Sequence, residues 1–336
     1  MKNRQRPWQG QTESNEEDFV PEFDSNNPLC PGVKRSNGQL NPVYNSTFAF
    51  DNDFAALLPE TSLNSSSSDD SFFKIVPAKG RCRVMCFHPK SNISLPLMEK
   101  QEILAVIQTW MKEFQELSQL YKWVQIFENK GAAMGCSNPH PHCQIWASDF
   151  LPNDPGTEDR TQREYFAKNE RTLLGDYLKR ELIANERIIL VNKYWAVLVP
   201  FWAYWPFETL LLPLRDNVQR ITDLSLEEQE SLADIMKKLL TRYDNLFKCS
   251  FPYSMGWHGA PTGPEMFDQI KDKQTKQHWT FHAHFFPPLV RSSKIKKFMA
   301  GFELLAQPQR DFNPESAATR LREQSEIHYK SIIKKI

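Results

Sequence analysis

Four of the eight histidines in this 336-residue chain fall in two His-x-His pairs. His140 and His142 sit in "NPHPHCQIW" (138–146), and His282 and His284 in "HWTFHAHFFPP" (278–288). Side chains at i and i+2 of a strand point to one face, so each pair is expected to present two imidazoles side by side. One such pair is often only a hydrogen-bonded structural histidine. Two pairs at equivalent places argue for chemistry. Ahead of the first pair runs "ENKGAAMGCSN", where Gly131, Gly135, Cys136 and Ser137 allow close backbone approach and offer N–H and hydroxyl donors to an anion. Pro141 stiffens the backbone between the histidines. A neutral imidazole oriented through one nitrogen is a competent nucleophile toward phosphorus. Gln144 follows on the same face. Being neutral, it can hold a phosphate oxygen but not move a proton, which favours keeping a covalent phospho-imidazole until a second substrate arrives.

Elements must hold these residues in place, and the hydrophobic pattern names them. "GRCRVMCFHP" (80–89) reads as strand and turn, and "LMEKQEILAVIQTWMKEFQELSQ" (97–119) as a helix with Ile103, Ile107, Trp110 and Phe114 on one face. "WVQIFENKG" (123–131) reads as strand and turn, and "HPHCQIWAS" (140–148) as a strand. The order then recurs. A strand is expected at 209–217, a helix at 225–247 opened by a Ser225-x-x-Glu228 capping box, and strands at 253–263 and 278–288. Both units end in a strand bearing His-x-His, a weak internal repeat. The expected class is α+β: two related domains on antiparallel sheets, residues 1–152 and 153–336. Residues 1–47 read as irregular, and "TSLNSSSSDD" (61–70) as a mobile surface loop.

Lys+Arg and Asp+Glu both number 41, so no global basic field points to nucleic acid. No apolar run reaches the roughly 18 residues of a membrane span, and the basic start lacks a signal peptide's apolar stretch. Six cysteines (Cys30, Cys82, Cys86, Cys136, Cys143, Cys249) form no disulfide framework and suit a reducing compartment. A soluble, cytoplasmic protein is expected.

Several long stretches resemble the galactose-1-phosphate uridylyltransferase family, a branch of the histidine-triad superfamily. They are "RPWQG" (6–10), "FDNDFAAL" (50–57), "FENKGAAMGCSNPHPHCQIWAS" (127–148), "PFWAYWPFETLLLP" (200–213), "YSMGWHGAPTG" (253–263) and "KKFMAGFELLAQPQRD" (296–311). The resemblance implies sheets forming an open half-barrel, a homodimer, and a double displacement. UDP-glucose gives its uridylyl group to a histidine and releases glucose-1-phosphate; galactose-1-phosphate then takes the group as UDP-galactose. By motif, His142 is the implied nucleophile, oriented by the backbone carbonyl of His140, with Ser137 and Gln144 on the phosphate oxygens. Asn52, Asp53, Asn129 and the run Gly135, Cys136, Ser137 would line the UDP site, and Arg6 would meet phosphate. Lys297, Phe298, Glu303 and Gln309 would reach the hexose in the partner subunit's site.

The resemblance also implies metals. Glu158, His258, His282 and His284 would hold iron or zinc, three imidazoles and a carboxylate fitting either ion; Asp154 and Asp159 are alternatives to Glu158, and a polar cluster without metal is the bland reading. A second family site, for zinc, retains only Cys30 and His140 as strong ligands, because Asn27 and Ser91 stand where a cysteine and a histidine are usual. Cys82 and Cys86 read as buried thiols. Phe302 replaces a usual tyrosine and Ala300 a bulkier aliphatic, and 265–277 reads as a lengthened surface loop. The chain begins almost at "RPWQG", so a preceding strand with a second phosphate-binding arginine is expected to be missing, Asn3 or Arg4 lying near that place. Two other functions follow from these features: a catalytically impaired isoform that binds UDP-sugars, and another nucleotide-acting histidine-triad hydrolase or phosphorylase.

Overall fold

The computed structural model describes residues 20–61, 72–73, 75–264 and 278–333. Arg6 with the rest of "RPWQG", most of the serine-rich stretch and the lengthened 265–277 loop lie outside the described residues.

Both long amphipathic runs form helices, and their apolar stripes become one core. Helix α1 (Lys100–Leu117) opens on a capping box between Glu99 and Glu102 and buries Ile103, Val106, Ile107, Trp110, Phe114 and Leu117. Helix α4 (Leu226–Phe247) opens on the expected box: Ser225 Oγ accepts from the Glu228 amide and the Glu228 carboxylate accepts from the Ser225 amide. Its buried stripe includes Leu232, Met236, Leu239, Leu240 and Tyr243. Two further helices, α2 (Asn153–Asn169) and α3 (Leu173–Ala184), lie between the repeats. Helix α2 escapes sequence reading because it has no apolar stripe, burying only Pro155 and Gln162.

The strands are β1 (Phe48–Asp51), β2 (Gly80–Cys86), β3 (Trp123–Lys130), β4 (His142–Ser148), β5 (Ile188–Val191), β6 (Trp195–Leu198), β7 (Thr209–Pro213), β8 (Tyr253–His258) and β9 (His282–Phe286). They make one antiparallel sheet in the order β1-β2-β4-β3-β8-β9-β7-β6-β5, which does not close on itself. The order is a repeat: β2-β4-β3 on one side of the centre answers β7-β9-β8 on the other. At the centre β3 pairs β8 in register, Ile126 with Trp257 and Lys130 with Tyr253. An antiparallel pair at the centre relates the halves by an approximate two-fold, so equivalent residues lie at opposite ends of the strands.

Each central strand alternates. Val124, Ile126, Cys143, Ile145, Met255, Trp257, Ala283 and Phe285 face α1 and α4 and join the main core. The intervening Gln125, Phe127, Asn129, His142, Gln144, Trp146, Ser254, His258 and His284 are half-buried on the other face. Space is tight at the centre of that face: a Cβ on Gly256 would meet Gln125 Nε2 at 3.0 Å, so that side chain would have to shift. No helix among the described residues is long and apolar enough to cross a membrane.

Candidate active site

The strand holding the first pair begins at His142, not at His140 as the sequence pattern suggests. Pro141 has no amide hydrogen, so the ladder cannot start earlier. His140 is consequently swung off the sheet face into a buried pocket, 1% exposed. The two imidazoles therefore have separate surroundings. His142 Nδ1–H donates to the His140 carbonyl at 2.7 Å. A carbonyl only accepts, so this bond fixes the proton on Nδ1 and leaves the lone pair on Nε2. Burial pushes the His142 pKa down, against the raising effect of the carbonyl bond, which keeps the ring neutral.

Gln144 lies on the same face two residues on, opposite Phe127 of β3. Its Oε1 accepts from Trp146 Nε1 at 3.0 Å, which leaves the amide NH2 as the free, donating end. Asn129 Oδ1 accepts from Ser254 Oγ at 2.6 Å, tying that end of β3 to β8. The loop between β3 and β4 is built on Gly131 and Gly135, both at positive φ (85° and 78°), where a side chain would strain the turn. Ser137 is exposed, and Cys136 Sγ donates to the Asn138 carbonyl. Beside β2, Asn52 Oδ1 accepts from the Phe54 amide at 2.9 Å, while Asp53 is held by Arg35 Nη1 at 2.9 Å. Arg35 was not expected from sequence, since nothing in its surroundings is periodic or motif-like.

The second pair converges differently. His282 and His284 have rings 4.8 Å apart, side by side as the strand rule requires. His258 of β8 pairs with His282, and Glu158 reaches them from α2. One ligand atom from each of the four lies within 4.8 Å of the others. Glu158 sits 2.9 Å from His258 Nδ1, 3.7 Å from His282 Nε2 and 3.8 Å from His284 Nε2. Burial works to raise the Glu158 pKa, but hydrogen bonds from His258 and His284 hold it well below the carboxylate range. Burial pushes His282 down to about 3 and lowers His284 as well, so both rings are neutral donors of lone pairs. Neutral imidazoles and an ionised carboxylate are the forms that bind a metal, and this donor set fits iron or zinc. Asp159 is otherwise engaged, accepting from His278 Nε2 and Arg163.

The zinc set around Cys30 and His140 does not fit. Cys30 and His140 do meet, Sγ lying 3.7 Å from Nδ1. However, Ser91 Oγ occupies that nitrogen at 2.8 Å and Tyr44 Oη occupies Nε2 at 2.8 Å. Asn27 exchanges two amide hydrogen bonds with Asn138. One thiol and an already bonded imidazole do not make a closed tetrahedral site. Burial, with the His142 ring second, pushes the His140 pKa down to about 4. Cys82 and Cys86 are buried thiols, as their strand context suggested.

Lys297, Glu303 and Gln309 gather with Asp311: Lys297 Nζ donates to Glu303 Oε1 at 2.8 Å, to the Gln309 carbonyl at 2.7 Å and to Asp311 at 3.2 Å. Phe298, 64% exposed, projects beside them.

On this α+β sheet a neutral strand-end imidazole with its Nε2 lone pair free, an amide donor and a glycine-built loop form the candidate site. Sequence comparison places that site in a family. The profile described as galactose-1-phosphate uridyl transferase, N-terminal domain, matches residues 1–152, and that of the C-terminal domain matches residues 158–332. A Drosophila melanogaster protein named probable galactose-1-phosphate uridylyltransferase is 57% identical over 97% of this chain and 91% of its own length. The Rattus norvegicus galactose-1-phosphate uridylyltransferase is 55% identical over 96% and 83%. A solved uridylyltransferase structure superposes with a TM-score of 0.77 at 23% identity, covering 96% of this chain and 97% of that one, which shows the shared fold. The chain belongs to the galactose-1-phosphate uridylyltransferase family. It is a nucleotidyltransferase of galactose metabolism.

Proposed function

We propose that the protein moves a uridylyl group from UDP-glucose to galactose-1-phosphate through a covalent adduct on His142. The observation that carries this is the 2.7 Å bond from His142 Nδ1 to the His140 carbonyl, which leaves the Nε2 lone pair available for nucleophilic attack. In the first half-reaction Nε2 forms a bond to the α-phosphorus while the bond to the bridging oxygen breaks, releasing glucose-1-phosphate. In the second, a phosphate oxygen of galactose-1-phosphate forms a bond to the same phosphorus, the N–P bond breaks, and UDP-galactose leaves. Both leaving groups are weakly basic, so no general acid is needed. That suits Gln144, whose amide, turned outward by Trp146, can hold a phosphate oxygen without moving a proton. Ser137 would complete the phosphate cradle beside Gly135 and Cys136, whose own amides are held by the Ala132 and Gly131 carbonyls, and Asn52, Asp53 and Asn129 the nucleoside side. Arg6, by its place in "RPWQG", would meet phosphate.

Glu158, His258, His282 and His284 would hold iron or zinc. They lie at the far end of the sheet face from His142: His258 is level with Gln125 while the nucleophile is level with Asn129. Four residues of strand, at about 3.3 Å each, put them roughly 13 Å apart before the sideways separation is added. A metal there would tie α2, β8 and β9 together; it would not touch phosphate. The chain would act as a homodimer in which Lys297, Phe298, Glu303 and Gln309 reach the partner's hexose. The exposed Phe298, Phe302, Leu304 and Leu305 on that segment support such a covered surface. Six free cysteines accord with a reducing compartment such as the cytoplasm.

The test is intact mass after incubation with UDP-glucose, on the parent and on His142→Ala. An acid-labile uridylyl adduct on the parent only, discharged by galactose-1-phosphate, supports the reading. An adduct discharged by water marks a hydrolase, and no adduct on a folded protein marks a chain that only binds UDP-sugars.

A further inference from the structure

The residues that fail to make a zinc site make something else. Tyr44 Oη, Ser91 Oγ, Cys30 Sγ and both ring nitrogens of His140 form a continuous buried chain of polar atoms. The residues are 9%, 5%, 0% and 1% exposed in the order Tyr44, Ser91, Cys30, His140. For a neutral His140 ring, the proton order of the chain follows from donor and acceptor capacity. The Leu29 carbonyl can only accept, so Tyr44, which lies 2.5 Å from it, spends its single proton there. Tyr44 Oη must then accept from His140 Nε2–H at 2.8 Å. A neutral imidazole carries one N–H, so His140 Nδ1 accepts, and Ser91 Oγ–H at 2.8 Å is the donor. Having donated, Ser91 accepts from the Cys30 thiol at 3.3 Å. The direction is therefore Cys30 to Ser91 to His140 to Tyr44 to Leu29. Leu29 and Cys30 are consecutive, so the chain closes on the segment from which it starts.

The same segment holds the main chain of His140. The His140 amide donates to Asn138 Oδ1 at 3.0 Å, Asn138 exchanges two 2.8 Å bonds with Asn27, and Asn27 Oδ1 takes the Leu29 amide at 3.0 Å. The ring, through Tyr44 and Ser91, and the backbone, through Asn138, are thus both tied to the segment 27–30, and the carbonyl of this pinned residue orients His142.

We propose that this closed hydrogen-bonded clasp, working without metal, sets the position of the nucleophile, and that Tyr44 and Ser91 are positioning residues for uridylyl transfer. The proposal rests on His142 being the nucleophile. A metal on Cys30 and His140 is incompatible with the clasp. It would need the thiolate and the Nδ1 lone pair, and would leave Ser91 with neither of its partners. Removing the outer hydrogen bond that orients a metal-ligating histidine typically costs about 10- to 100-fold in affinity or activity, and the same order is expected for the ring whose backbone orients His142.

Three measurements test it. In single-turnover adduct formation from UDP-glucose, Tyr44→Phe and Ser91→Ala are expected to slow the step about 10- to 100-fold with the KM for UDP-glucose little changed. Ser91→Thr, which keeps the hydroxyl, is expected to restore most of the rate. Elemental analysis is expected to show metal lost on Glu158→Ala and unchanged on Cys30→Ser. Nitrogen NMR of the parent is expected to show His140 as the Nε2–H tautomer. Parent-like rates in both variants, loss of an equivalent of metal on Cys30→Ser, or an Nδ1–H tautomer would each overturn the clasp. Should the parent form no adduct, the proposed function fails on its own, while tautomer and metal content still decide whether the clasp exists.

Discussion

Replacing the buried acid Glu128 by glutamine should stabilise the protein at neutral pH. Glu128 lies on the helix-facing side of β3, next to Asn129 of the candidate nucleotide site, and is 4% exposed. Its carboxylate is bonded by Tyr253 Oη at 2.9 Å. Burial pushes its pKa from 4.5 up to about 7, against the lowering effects of Tyr253 and of the Lys130 charge. Below 4.5 the carboxyl is protonated in both folded and unfolded chains, and its contribution to stability is fully present. As pH rises from 4.5 to about 7, the unfolded chain ionises and the folded one does not, so stability is lost up to the folded pKa. The difference of 2.5 pKa units, at about 1.36 kcal/mol each, is on the order of 3 kcal/mol. Glutamine keeps an oxygen for Tyr253 and cannot ionise. Urea unfolding free energies of the parent and Glu128→Gln should therefore diverge between about pH 5 and about pH 7 and run parallel above, the variant ending roughly 3 kcal/mol better placed than at the acid end. Curves parallel over the whole range would refute the reasoning, because they would mean that Glu128 titrates alike in folded and unfolded chains.

Two further outcomes follow from the packing. Chelation of the metal-loaded protein should lower its Tm, while Glu158→Ala, lacking the carboxylate that gathers His258, His282 and His284, should melt at the same temperature with or without chelator. Trp110→Ala should cost about 3–5 kcal/mol in urea unfolding, because the Trp110 ring is fully buried against Phe87 and Trp257 and its Nε1–H is bonded to Cys143.

The repeating order of strand, helix, strand and His-x-His strand was legible because α1, α4 and the central strands have strong periodicity on one buried face. The same periodicity misplaced the start of β4, since it ignores the missing amide of Pro141. Helix α2 was silent for the opposite reason: most of its surface meets solvent, yet it supplies Glu158 to the metal ligands. Glu158 was found through resemblance, and nothing in its own surroundings singles it out from Asp154 and Asp159.

Sequence by itself determined the two long helices, the central strands, the two histidine pairs and the chemistry their residue types allow, because alternation, helical spacing and motif are local properties of the chain. Tertiary structure alone decided the rest. It joined both halves into one sheet through β3 and β8, sending the two histidine sites to opposite ends of one face. It also converted Cys30, Ser91 and His140 from an incomplete ligand set into a hydrogen-bonded ring by bringing in Tyr44. Tyr44 lies 96 residues from His140 in an irregular stretch. Whether a histidine binds a metal or accepts a hydroxyl proton depends on which atoms reach its two nitrogens, and over such separations only the packed chain sets those distances.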